Sequence, residues 1–233
     1  MSNTAPIPVI TYEENLADGM DDVTMAAIFN VMRILKRVNP GDTYLEQYQS
    51  MRKRYGENFR DTYELLWLIG TQYAPKRILE IGTRTGISLC QLLSSYIDLS
   101  VIEKIVCVDP FDEWTSANLV RANLKYLNLP HDPDTVKIYA MKSEDYFKMD
   151  EKDNRFDYIL VDGDHSKEAA AADLEAAQAF LAPGGIMVFD DISKAPGECA
   201  LIDVWEAFKA AHKSEFVFNE LMEGKGVAWA IQK

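Results

Sequence analysis

The stretch Glu80-Ile81-Gly82-Thr83-Arg84-Thr85-Gly86 decides the fold of this chain. It completes the apolar run Arg77–Ile81 and leads into a segment whose apolar residues have helical spacing from Ile87 onward. A short apolar run, a glycine-rich turn and a helix together predict a strand–turn–helix unit. Glycines let the turn tighten and let a ligand approach the backbone, and the helix N-terminus offers free N–H groups. Taken alone, the turn indicates only a nucleotide-like ligand.

The rest of the chain after residue 76 repeats this alternation of short apolar runs and helical patterns. The further runs are 104–108, 135–140, Phe156–Val161 and 185–189. An alanine-rich helix is predicted over 166–181, closed by Pro183-Gly184-Gly185. Two final runs, 215–221 and 226–231, are joined by a turn short enough for a hairpin. Strands alternating with helices predict an α/β domain with a mostly parallel sheet covered by helices on both faces.

The first 60 residues are predicted to form a helical N-terminal extension, with the α/β domain over 61–233. Two helices are expected there, one beginning at Asp22, which can cap it, and one near Asp42. A third helix is expected to open the α/β domain at Asp61-Thr62-Tyr63-Glu64, which is close to a capping box. The sequence leaves three roles open for this extension. It packs on the core, closes over a substrate, or joins two subunits as a homodimer.

Composition excludes several classes of protein. The formal net charge of −13 argues against a nucleic-acid partner, because phosphate binding needs clustered Lys and Arg. No signal peptide and no membrane-spanning run is predicted, so we expect a soluble, cytoplasmic protein with no membrane partner. The three cysteines have no metal-type spacing and are expected to be reduced thiols. His131 and His212 are expected to lie in solvent.

Asp109 follows the second apolar run, at the distance from the glycine turn where a carboxylate accepts ribose hydroxyl protons. The alternative is that Asp109 only caps the following turn. A dinucleotide fingerprint places a glycine where this chain has Arg84, and that side chain would crowd a pyrophosphate. The pair therefore favours a nucleoside-containing cofactor without phosphates.

These residues resemble the first motif of class I S-adenosylmethionine-dependent methyltransferases, in the form used by catechol-type and macrolide-sugar O-methyltransferases. The similarity covers about residues 62–233, and it includes Val161-Asp162-Gly163-Asp164-His165 and Phe189-Asp190-Asp191. It implies a Rossmann-like sheet of seven strands in the order 3-2-1-4-5-7-6, with the last strand antiparallel. The residues implied to bind S-adenosylmethionine are Glu80, Gly82, Arg84, Gly86, Ser88, Asp109, Ser143, Glu144 and Asp162.

Four carboxylates follow the fourth and fifth predicted strands: Asp162, Asp164, Asp190 and Asp191. Neighbouring strands lie about 4.8 Å apart, so these like charges must be protonated, hydrogen-bonded or neutralised by a cation. Mg²⁺ or a similar divalent cation suits oxygen ligands. The resemblance implies that Asp162, Asp190 and Asp191 hold it, although Asp191 stands where catechol-type enzymes often have Asn. The alternative is that the acids cap loops and helix starts.

His165 stands where the resembled enzymes have a catalytic Lys. It is predicted to act as a general base toward a substrate hydroxyl, and the alternatives are a helix-capping residue or a metal ligand. The predicted activity is methyl transfer to a hydroxyl oxygen of a small molecule, with metal assistance. Two other functions stay open: an NAD-dependent oxidoreductase, and a non-catalytic protein that binds S-adenosylmethionine.

Overall fold

The computed structural model describes residues 22–38, 41, 44–55, 62–112, 115–149, 155–193 and 200–233. Its helices are α1 Asp22–Val38, α2 Tyr44–Tyr55, α3 Thr62–Gln72, α4 Ile87–Ser94, α5 Ala117–Tyr126, α6 Ser143–Tyr146, α7 Lys167–Phe180 and α8 Ile202–His212. Its strands are β1 Arg77–Ile81, β2 Lys104–Asp109, β3 Val136–Ala140, β4 Phe156–Val161, β5 Leu181–Asp190, β6 Phe216–Leu221 and β7 Val227–Gln232. None of the described helices is both long and apolar enough to cross a bilayer.

The seven strands form one sheet in the order β3-β2-β1-β4-β5-β7-β6. Strands β1 to β5 pair in parallel, and β7 runs antiparallel to both β5 and β6. This confirms the predicted fold class and strand order. The parallel strands bring their carboxyl ends to one edge of the sheet, where ligands bind in open α/β folds.

Side chains alternate between two apolar layers, one on each face of the sheet. In β1, Ile78 belongs to a buried cluster that contains residues of α1, α3, α4 and α5, whereas Leu79 belongs to the cluster that contains residues of α7 and α8. Both side chains are fully buried. Because successive residues of a strand point to opposite faces, a strand covered on both faces has to be apolar at nearly every position. The short continuous apolar runs in the sequence reflect this burial.

The N-terminal helices join the core of the α/β domain. Ile28, Met32 and Leu35 of α1 are each at most 1% exposed and belong to the same buried cluster as α4. Helix α2 is tied to α3 by a buried hydrogen bond in which the Tyr48 hydroxyl donates to the Glu64 carboxylate. Of the three roles left open for the extension, these contacts show packing on the core. The predicted boundary between residues 60 and 61 lies outside the described residues.

Strand β5 begins earlier than the sequence pattern predicts. The helix expected to reach residue 181 ends at Phe180, and Leu181 already pairs with Phe156 of β4. The next register pair is Tyr158 with Ile186, so the residues between Leu181 and Ile186 form an irregularity in the strand. Proline has no N–H to donate to a sheet, and Pro183 is tolerated because it lies in this irregular segment. Leu181 itself is fully buried, which favours its place in the sheet.

Two of the three cysteines lie in the described part of the chain, and both are buried free thiols. Burial raises the pKa of Cys90 and of Cys107 well above the ordinary thiol value, so neither is poised to react. Cys199 lies outside the described residues.

His212 at the end of α8 is less exposed than expected. Its side chain is 13% exposed, with Nε2 at 3.1 Å from a Glu175 carboxylate oxygen and Nδ1 at 3.2 Å from one of Glu215. Burial lowers the pKa of His212, but the hydrogen bonds to Glu175 and Glu215 outweigh it, and the net pKa is raised above 6.5.

We expect His212→Gln to destabilise the protein more at pH 6 than at pH 8.5. A raised folded-state pKa stabilises the fold below the unfolded value, and this contribution is lost as pH rises through the folded pKa. A surface pair is worth at most about 1 kcal/mol, so the melting temperature should fall by about 1–3 °C at pH 6 and by less at pH 8.5. Thermal melts of the two proteins at both pH values measure this. An equal difference at the two pH values would contradict the assignment.

Candidate active site

A cavity of about 490 Å³ opens at the carboxyl edge of the sheet, where β1, β2, β4 and β5 end. Its wall includes the loop after β1, the end of β2, the segment after β3, and the acids after β4 and β5. Residues Thr62 and Tyr63 at the start of α3, and Gln47 of α2, complete it. The site is therefore assembled from distant parts of the chain that the parallel strands bring together.

The loop after β1 passes very close to the end of β4. Gly82 has φ +85°, and a Cβ at this position would lie 1.7 Å from the Asp162 carbonyl oxygen. The Gly82 N–H donates to the Val108 carbonyl at 2.9 Å, which fixes the loop to β2 as well. Only glycine fits this crossing, because any other residue would collide with backbone atoms. Gly86 also has a positive φ, but a Cβ there would meet only the Val120 side chain, at 3.0 Å.

Asp109 joins the loop to the end of β2. One carboxylate oxygen accepts from the Arg84 N–H at 2.8 Å and the other from the Phe111 N–H at 2.6 Å. Both Arg84 and Phe111 have positive φ values, so the carboxylate stabilises two residues in the left-handed backbone conformation, which non-glycine residues rarely adopt. Asp109 thus does cap the following turn, and it also lines the cavity. Carboxylate oxygens have further lone pairs for a ligand hydroxyl.

Most of the residues predicted to bind a cofactor line one cavity. They are Gly82, Arg84, Ser88, Asp109, Ser143, Glu144 and Asp162. Glu80 and Gly86 are absent from that lining. Glu80 is only 2% exposed and lies beneath the loop, where its Oε2 has no hydrogen-bond partner among the described residues. Burial, followed by the nearby Asp162 charge, raises the pKa of Glu80 well above the ordinary carboxyl value.

Beside the glycine loop, Asp162, His165 and Asp191 converge. One potential ligand atom from each lies within 4.8 Å of the other two. His165 Nε2 is 3.1 Å from Asp191 Oδ2 and 3.5 Å from Asp162 Oδ1. The hydrogen bond to Asp162 raises the pKa of His165 above 6.5, against the opposing effect of its partial burial. His165 is the most accessible of the three, with its side chain 43% exposed.

Asp190 is held differently from the other acids. Its Oδ1 accepts a hydrogen bond from the Thr62 hydroxyl at the start of α3, and it is absent from the converging group formed by Asp162, His165 and Asp191. Burial and then the neighbouring Asp191 charge raise the pKa of Asp190 to about 6. The sequence grouped Asp162, Asp190 and Asp191, whereas the structure groups Asp162 and Asp191 with His165. The difference arises because Asp190 and Asp191 are consecutive residues and point in different directions.

Sequence reasoning did not single out four further residues of the cavity: Gln47, Thr62, Tyr63 and Lys225. The first three come from helices whose position over the sheet edge is not encoded in any motif. Lys225 lies in the turn between β6 and β7, and its Nζ is 3.5 Å from Asp191 Oδ1. The predicted strand order could have placed Lys225 here, because it sets the start of β7 beside the end of β5.

Comparison with known proteins agrees with this geometry. The family described as a methyltransferase domain matches residues 79–192. An uncharacterized protein of Acanthamoeba polyphaga mimivirus is 24% identical, over 74% of this chain and 71% of the viral protein.

Among solved structures, the chain resembles an O-methyltransferase from Bacillus cereus in complex with SAH. That chain is 20% identical with a TM-score of 0.59, and the alignment covers 95% of this chain and 96% of that one. It also resembles the O-methyltransferase TomG from Streptomyces achromogenes, solved with SAM. TomG is 17% identical with a TM-score of 0.55, and the alignment covers 95% of this chain and 94% of TomG.

The matched residues begin within β1 and extend through the acids after β5, so they contain the glycine loop, Asp109 and the converging group. Residues 79–192 of the chain therefore match a methyltransferase domain. The fold of the chain is that of the solved O-methyltransferases with which it aligns.

We expect Gly82→Ala to be far more damaging than Gly86→Ala. Both variants must place a side chain at positive φ, which costs about 1–2 kcal/mol. Only Gly82→Ala adds a collision with backbone, and a total loss of about 3 kcal/mol or more follows. Urea unfolding of both variants measures this difference. Equal stabilities would show that the loop after β1 does not need its close approach to β4.

Proposed function

We propose that this protein transfers a methyl group from S-adenosylmethionine to a hydroxyl oxygen of a small molecule, with the help of a divalent cation. The observation that carries the proposal is the position of Asp162, His165 and Asp191 beside the glycine loop, in the same cavity. A volume of about 490 Å³ is within the usual range for small-molecule sites. The net charge of −13 favours a small acceptor over a nucleic acid.

Bound S-adenosylmethionine supplies a sulfonium-activated methyl group. The chain's own contribution is to hold and orient it. The Asp109 carboxylate, at the end of β2, is placed to accept from ribose hydroxyls. Ser143 and Glu144 line the cavity beyond β3, where the adenine is expected. The loop containing Gly82 and Arg84 also lines the cavity and would face the remaining part of the cofactor. This positioning, with exclusion of water, accounts for most of the rate enhancement expected of such a site.

The acids fit a divalent cation. Asp191 is 2% exposed, and its Oδ2 has no hydrogen-bond donor among the described residues, although His165 lies at ion-pair distance. A buried carboxylate oxygen without a donor is costly unless a cation is near. Asp162 and Asp191 would hold the ion, whose chemistry there is to polarise a hydroxyl oxygen and favour its deprotonation. Carboxylate donors suit Mg²⁺ or Mn²⁺.

His165 is proposed as the general base. Its imidazole is oriented by Asp162 and Asp191 and keeps an exposed surface toward the cavity. The acceptor O–H bond breaks as the new C–O bond forms, and the proton passes to the imidazole while the C–S bond to the cofactor is cleaved. A positioned His is the commonest residue for such a transfer. Gln47 and Tyr63 line the same cavity, so we propose that the N-terminal helices shape the acceptor pocket.

Asp109→Asn should weaken S-adenosylhomocysteine binding by about tenfold or more, because hydrogen bonds to a charged group are worth about 1.5–3 kcal/mol. Calorimetric titration measures the binding. Asp132→Asn is the matched control, because Asp132 caps an exposed turn away from the cavity. NAD is titrated in parallel, and we expect no binding. Unchanged S-adenosylhomocysteine binding together with a lower melting temperature would mean that Asp109 serves only as a cap.

His165→Ala should lower the methyl-transfer rate by about 100-fold or more and leave Mn²⁺ affinity within about threefold. The rate is measured as S-adenosylhomocysteine release with a panel of small acceptors that carry adjacent hydroxyls. Mn²⁺ binding is measured by electron paramagnetic resonance without acceptor. A large loss of Mn²⁺ affinity would make His165 a metal ligand instead. Binding of the cofactor with no transfer to any acceptor by the unaltered protein would favour a non-catalytic binding protein.

A further inference from the structure

The turn between β6 and β7 places the positively charged Lys225 beside the acid group, which consists of Asp162, Asp190 and Asp191. Because β7 is antiparallel to β5, Val227 at its start pairs with Asp190 at the end of β5. Lys225 lies two residues before Val227 and therefore falls beside Asp191. Its side chain lines the same cavity as the acids.

The backbone of this turn is fixed to the segment that follows β5. The Ser193 N–H donates to the Lys225 carbonyl at 2.7 Å, and the Ile192 N–H donates to the Gly226 carbonyl at 3.1 Å. Gly226 has φ +74°, and a Cβ there would lie 2.7 Å from the Ser193 nitrogen, so the two segments approach as closely as glycine allows. The base of the Lys225 side chain is thus held in place relative to the acids.

The ammonium group of Lys225 acts on all three acids. Its Nζ is 3.5 Å from Asp191 Oδ1, in a pair whose carboxylate side chain is 3% exposed and whose lysine side chain is 38% exposed. Burial is the main influence that raises the pKa values of Asp162, Asp190 and Asp191, and Lys225 opposes that rise in each. A partly exposed lysine with a flexible stem can move its charge toward solvent at small cost.

We propose that Lys225 is a tethered counter-cation that neutralises the acid group and competes with the divalent cation for it. Because Lys225 Nζ is 3.5 Å from Asp191 Oδ1, an ion held by Asp162 and Asp191 would be repelled by the ammonium group, and the lysine would have to move away for the ion to bind. Lys225 therefore sets the metal affinity of the site. This inference rests on the metal-binding part of the proposed function and is independent of the identity of the acceptor.

The test compares Mn²⁺ binding to the unaltered protein, Lys225→Met, Lys225→Arg and Lys167→Met, all treated with chelator and dialysed. Lys225→Met should bind Mn²⁺ about tenfold more tightly, because one repelling charge is removed from the surroundings of the ion. Lys225→Arg keeps the charge and should stay within about threefold of the unaltered protein. Lys167→Met removes an equal charge from an exposed pair with Asp203 and should leave the affinity unchanged.

Melting in chelator is a second measurement. Lys225→Met should melt at a lower temperature than the unaltered protein in chelator, and excess Mn²⁺ should remove the difference, because either cation can neutralise Asp191. If Lys225→Met does not fold in either condition, Lys225→Gln replaces it with the same expectations.

Equal or weaker Mn²⁺ binding by Lys225→Met overturns the inference, and so does the absence of Mn²⁺ binding in every variant. S-adenosylhomocysteine titration of the same samples distinguishes failure of the role of Lys225 from failure of the proposed function. If S-adenosylhomocysteine binds but the Lys225 variants do not change Mn²⁺ affinity, only the role of this lysine is wrong. If the unaltered protein does not bind S-adenosylhomocysteine, the proposed function is wrong.

Discussion

Because Gly82 has no Cβ, the loop after β1 crosses against the carbonyl of Asp162 at the end of β4. The rest of the site depends on this contact. It brings the loop proposed to face the cofactor next to Asp162, so that the loop and the acids after β4 and β5 line one cavity. The same loop is held on its other side by Asp109, whose two oxygens accept from Arg84 and Phe111. A few backbone contacts therefore set the distance between the loop after β1 and the acids after β4 and β5.

The close approach of strand ends has an electrostatic consequence. Three carboxylates, Asp162, Asp190 and Asp191, meet at these strand ends, where Asp190 and Asp191 are buried and Asp162 is partly buried. Like charges in that setting cannot all stay ionised without partners. Each of these carboxylates has a different set of polar partners. Asp190 accepts from Thr62, Asp162 contacts His165, and Asp191 lies between His165 and Lys225. These partners come from α3, from the segment after β4 and from the β6–β7 turn. Their hydrogen bonds and ion pairs with the acids therefore connect separate parts of the chain.

Most helices and strands could be predicted from the sequence because their signals are local, whereas the strand order was implied by the resemblance to class I methyltransferases. Continuous apolar runs mark the buried strands, and glycine or acid residues mark the ends of β1, β2, β4 and β5. The prediction failed at Leu181, where the helix pattern continues but burial places the residue in β5. For the site, Asp109, Asp162 and Asp191 could be singled out because Asp109 ends a strand and the other two directly follow one. The contacts of the side chains could not be predicted. The resemblance implied that Asp162, Asp190 and Asp191 hold a metal, and the structure shows in addition that Thr62 donates to Asp190 and that His165 lies beside Asp162 and Asp191.

Lys225 shows a different limit of sequence reasoning. No motif surrounds it, and 34 positions separate it from Asp191 in the chain (225 minus 191). Its place nevertheless follows from topology, because an antiparallel β7 beside β5 must start where β5 ends. A residue in the preceding turn is then within a side chain's length of the acids. Strand order therefore also predicts which side chains can interact at the site. In a sheet of this order, a charged residue in the turn before β7 lies close to the residues at the end of β5. Given the predicted strand order, the sequence of that turn is enough to place Lys225, besides His165, next to Asp191.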